Sequence, residues 1–121
     1  MKILLLVGIG SFLGGVFRYL LSSILHIKSA LYFPLGTLTV NIIGCFIIGL
    51  VYTYSQKWEL SQEWRLFLTT GLLGGFTTFS AFSIETIDML KNQHFFSAFI
   101  YIVLSVSVGL TATALGVYLS K

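Results

Sequence analysis

The string Gly71-Leu72-Leu73-Gly74-Gly75-Phe76-Thr77-Thr78-Phe79-Ser80-Ala81-Phe82 is the most unusual in this chain. Paired glycines followed by paired threonines weaken a helix. A helix broken at membrane depth frees backbone groups that must be buried in protein or line a cavity. Carbonyls released near Gly74 and Thr77 can hold a small dehydrated cation; the competing reading gives these glycines to close helix packing alone. Beyond the break, Phe79 and Phe82 stand three residues apart and share a helix face, with Thr78 and Glu85 flanking it. Such a pair serves as core or lipid-facing surface, or it offers its positive ring edges to a small anion.

Other stretches carry polar groups of the same kind. Asn41 stands one helical turn after Thr37 and about one turn before Gly44 and Cys45. Its amide either bonds a neighbouring helix or donates to an anion on a pathway. Tyr101, Ser105, Gly109 and Thr113 recur every four residues as a hydroxyl-bearing stripe, which can face an ion or back-bond to its own helix. Arg18 lies deep in the first apolar stretch, where a charge costs about 2.5 to 3.5 kcal/mol. It either snorkels or pairs structurally, or it raises the anion concentration of an aqueous vestibule. The acids Glu85 and Asp88 fall near the end of the third stretch as vestibule or interface residues, so no carboxylate stands at mid-depth.

Positioning these residues takes membrane helices. Of 121 residues, 56% are hydrophobic and 9% charged, which excludes a water-soluble monomer. Four runs, 3–17, 29–56, 66–84 and 92–120, hold no Lys, Arg, Asp or Glu. A bilayer core takes roughly 20 helical residues to cross. The expected fold is therefore an all-α membrane protein of one domain, with four transmembrane helices over about 3–25, 33–54, 65–90 and 95–119 and the third broken near its middle. Lys2 followed by Ile3, Leu4, Leu5, Leu6 and Val7 reads as the start of the first span, because no A-x-A-like cleavage site follows. Connectors are short: 26–31 with Lys28, the polar stretch Ser55 to Trp64 as an interfacial loop with Trp58 and Trp64, and Asn92-Gln93. Pro34 opens the second span.

The amino terminus, second loop and carboxyl terminus share one side with Lys2, Lys57, Arg65 and Lys121, against Lys28 and Lys91 opposite. Glu59 and Glu63 dilute that bias, which points to insertion in both orientations. Four helices enclose little beyond a solid bundle, so self-association is expected. The small-residue repeats Gly10/Gly14, Gly71/Gly75 and Ser105/Gly109/Thr113 serve either that contact or packing within one protomer. The net charge of +3 is scattered and gives no nucleic-acid surface, and the single Cys45 forms no intrachain disulfide. His26 and His94 fall at loop positions, and no nucleophile has a base beside it, so the chain is not read as an enzyme.

Three strings together resemble the small fluoride channels of the Fluc or CrcB family: Gly14-Gly15-Val16-Phe17-Arg18-Tyr19, Gly36-Thr37-Leu38-Thr39-Val40-Asn41-Ile42-Ile43-Gly44-Cys45-Phe46, and the glycine-threonine-phenylalanine string above. The resemblance covers the whole chain. It implies a plasma or inner membrane channel, an antiparallel dual-topology homodimer with two fluoride pores, and a structural Na+ at the dimer centre. It places the sodium-coordinating carbonyls on Gly74 and Thr77, the pore phenylalanines on Phe79 and Phe82, the pore asparagine on Asn41 and the vestibule arginine on Arg18. Tyr101, Ser105 and Ser80 look like members of a polar track, and Glu85 resembles an acid at a pore mouth. The chain departs from the pattern at Ala81, where threonine is common, and at Gly109, where a hydroxyl can stand. Passive export of fluoride, which protects the cell from its toxicity, is the implied function. The other readings are a small multidrug-type proton-coupled cation exporter, which matches in size alone, and a non-conducting membrane subunit.

Overall fold

Four helices long and apolar enough to cross a membrane make up nearly all of the computed structural model, which describes residues 1–28 and 33–121. Helix α1 (Lys2–Lys28) and helix α2 (Leu35–Lys57) form the first two spans. The third runs from Gln62 to Lys91 in pieces: α3 (Gln62–Leu66), π-helical turns (Phe67–Leu73), a short α4 (Gly74–Phe76) and α5 (Phe79–Lys91). Helix α6 (Phe95–Leu119) completes the set, and no strand occurs among the described residues. Helix α1 absorbs the first part of the expected 26–31 connector through Lys28, and residues 29–31 lie outside the described residues.

The interfacial loop is shorter than the polar stretch 55–64 suggests. Helix α2 continues through Lys57, and α3 begins at Gln62, where the Ser61 hydroxyl accepts the Trp64 N–H at 3.4 Å. Polar side chains at both helix ends reach the headgroup level by themselves, so polarity marks the interface rather than the end of helix. Glu59 (φ 50°) and Gln93 (φ 63°) take left-handed conformations in the two tight turns.

Two seams of small residues fasten the bundle. A side chain at Gly14 would run into the carbonyl oxygen of Leu72, and a Cβ at Gly75 would lie 2.5 Å from that of Ser11. Helix α1 and the first half of the third span therefore touch backbone to backbone along Gly10/Gly14 and Gly71/Gly75. Both GxxxG pairs pack helices within this chain. A second seam joins α2 to α6, where Gly49 faces the Thr113 carbonyl and Gly116 that of Phe46. Leu38, Met89, Ala98 and Tyr101 form a small core between α2, α5 and α6.

The third span bends by 19° at residues 77–78. Thr77 (φ −90°, ψ 157°) and Thr78 (φ −151°, ψ 122°) are extended. Gly74 and Gly75 remain helical, so the threonines make the break and Gly75 makes the seam.

Candidate functional site

At the break, backbone groups that would close a helix take other partners. The Thr77 N–H and hydroxyl both donate to the Leu73 carbonyl, at 3.0 and 2.9 Å. A continuous helix would send the Thr78 N–H to the Gly74 carbonyl and the Ala81 N–H to that of Thr77. Instead the Thr78 N–H donates to Asn41 Oδ1 at 2.8 Å, and Asn41 Nδ2 donates back to the Thr78 carbonyl at 2.9 Å. The Ala81 N–H goes to Thr78 Oγ1 at 3.1 Å, which makes Thr78 the N-cap of α5. The helix thereby gives up its hold on two carbonyls, those of Gly74 and Thr77.

A groove of about 400 Å³ opens beside the break. Asn41, Gly74, Thr77, Phe79, Phe82 and Ser105 share its wall, and no charged side chain lines it among the described residues. Phe79, 78% exposed, stands at its rim. Its ring lies 5.5 Å from that of Phe82, which lies 5.0 Å from Tyr101, which meets Phe33 edge-on at 5.5 Å. The ladder of rings leads to Glu85. Tyr101, fully buried, donates its hydroxyl to Glu85 Oε1 at 3.1 Å, and Thr37 donates to Oε2 at 2.9 Å. The same glutamate lines a second, more polar cavity of about 470 Å³ with Tyr19, Ser22, Ser23 and Thr37.

Six of the expected site residues thus meet in one groove, and Tyr101 and Glu85 continue from it. Ser80 is exposed beside the break, its hydroxyl 3.1 Å from that of Thr78. Arg18 lies apart from both cavities: its Nε donates to the Gly75 carbonyl at 3.1 Å, tying α1 to α4. This is the structural pairing that sequence alone leaves open. Gly109 is buried, and a Cβ there would sit 3.6 Å from Cys45 Sγ. Thr37 as the partner of Glu85 goes unread in the sequence. Its signal is its place one turn before Asn41 on the same face of α2.

The family described as "CrcB-like protein, Camphor Resistance (CrcB)" matches residues 5–117. The chain belongs to the CrcB family. It is 44% identical over 121 residues, all of both chains, to a protein of Phocaeicola vulgatus named "Fluoride-specific ion channel FluC". Proteins with the same name from Gloeothece citriformis and Flavobacterium psychrophilum are 46% and 43% identical, over 98% and 100% of this chain and 96% and 98% of theirs. Members of this family are channels, so the chain is a multi-pass membrane protein and not an enzyme.

Proposed function

We propose that this chain conducts fluoride passively across the plasma membrane, lowering cytoplasmic fluoride, and that it does so as an antiparallel homodimer of dual topology. The observation that carries the reading is the uncharged groove beside the break, with two phenylalanine rings, an asparagine and a serine on its wall. A small, strongly hydrated anion leaves water only where donors replace its shell, and a pathway must bind weakly enough to release. Ring edges and hydroxyls meet both conditions. The cation-exporter reading needs a mid-depth carboxylate, and neither this wall nor the family supports it.

The groove is open on one side, with the Phe79 ring largely bare at its rim. A second copy, inverted, supplies the missing wall. The weak charge bias of the loops supports insertion in both orientations. The released carbonyls of Gly74 and Thr77 are hard oxygen donors of the kind Na+ takes, and the same pair from a second copy doubles the donor set. A sodium ion there would take four carbonyl oxygens as ligands and pin the two copies together.

Liposomes containing the purified protein should release fluoride, read with a fluoride electrode, far faster than chloride. Equal rates for the two ions would refute selectivity.

A further inference from the structure

We infer that the groove between the starts of α1 and α3 is a lipid site that takes a phosphoethanolamine headgroup. Both helices enter the membrane from the same side, and each carries a charge with an apolar side chain one turn deeper: Lys2 above Leu6, and Glu63 above Phe67. The Lys2 ammonium and Glu63 Oε2 stand 3.2 Å apart at the top. Beneath them lies a cavity of about 360 Å³ lined by these four residues and Trp64, whose ring meets Phe67 edge-on at 5.8 Å. Trp64 is itself mostly exposed, as a tryptophan at headgroup depth is.

The vertical order is that of a phospholipid, with charges above and hydrocarbon below. The horizontal order selects the headgroup. Side chains 74% and 44% exposed keep spare hydrogen-bonding capacity beyond their mutual contact. A phosphate beside Lys2 and a primary ammonium beside Glu63 would satisfy both charges at once. A choline headgroup has no N–H for Glu63. A glycerol headgroup keeps the phosphate for Lys2 but brings neutral hydroxyls, and no cation, to Glu63. Neither the fluoride pathway nor the break takes part, so the inference stands apart from the proposed conduction.

Native mass spectrometry of the full chain, released from bilayers with equal amounts of phosphatidylethanolamine, phosphatidylcholine and phosphatidylglycerol, tests it. Phosphatidylethanolamine should be retained over each of the others by roughly three- to fivefold, the scale of an exposed charge pair. Lys2→Ala and Glu63→Gln should each erase that preference while fluoride flux persists. The charge swap Lys2→Glu with Glu63→Lys should restore it. Equal retention of the three lipids, a preference for phosphatidylglycerol, or a preference that survives both single substitutions would each overturn the site.

Discussion

The two halves of the third span, before and after Thr77, are held in opposite ways. The first lies backbone to backbone on α1, where Gly14 meets Leu72 and Gly75 meets Ser11. The second is held by side chains: Asn41 grips Thr78, Thr37 and Tyr101 grip Glu85, and the Phe82 ring leans on Tyr101. Backbone contact in lipid gains dispersion energy only where no side chain intervenes. It fixes position and leaves only the freed Gly74 carbonyl, at its end, to present to an ion. Contact through side chains is looser and leaves rings, amides and hydroxyls facing a groove. Scaffold and pathway are thus adjacent lengths of one span.

Adding bulk to the glycine seam should have the largest effect. Gly14→Val pushes a branched side chain into the Leu72 carbonyl, which belongs to a helix and cannot step aside. A cost of about 3 kcal/mol or more is expected, seen as lost folded material in gel filtration and a lowered melting temperature. A Gly14→Val protein that melts like the parent would break the comparison. Next comes Asn41→Ala, which strips partners from both the N–H and the carbonyl of Thr78, at about 1 to 3 kcal/mol in all because both groups are only part-buried. Chemical denaturation together with fluoride flux reads it, and both should fall.

Phe79→Ile and Phe82→Ile belong to the side-chain half alone. Each should lower fluoride flux by about fivefold while the protein folds, since an edge interaction of this kind is worth roughly 1 kcal/mol. Full flux in both would remove the ring-edge argument. The smallest effect is expected at Gly8, on the same helix as Gly14 but with nothing within 4 Å of an added Cβ. Gly8→Ala should leave flux unchanged and raise stability by at most about 1 kcal/mol, through helix propensity. A strong loss there would show that glycines on α1 matter for a reason other than the seam.

Charge spacing alone yields the count of four helices long enough to span, because a bilayer enforces length on any run without charges. The break is also readable, but its cause is not. Paired glycines look like the weak point, yet a glycine packed against another backbone is held helical, and the threonines give way because Asn41 and the Thr78 hydroxyl take over their bonds. The π-helical turns over Phe67–Leu73 leave no mark in residue type, and they lie where the span packs on α1 at Gly71. The polar residues that line the groove are legible because a polar group in an apolar run needs a purpose. Arg18 shows the limit. Its type leaves snorkelling, structural pairing and a vestibule open, and only geometry reveals that its guanidinium holds the Gly75 carbonyl.

The break has an electrical consequence. It divides one long row of aligned peptide dipoles into two, so α4 ends and α5 begins beside the groove. A helix start carries about half a positive charge and a helix end about half a negative one. Donor-rich N–H groups therefore open toward Phe79 and Ser80, while the Gly74 and Thr77 carbonyls form the opposite pole. Both poles are built from peptide groups, which do not titrate. This field stays constant over any pH at which the helices survive, so a proton can neither switch it on nor discharge it.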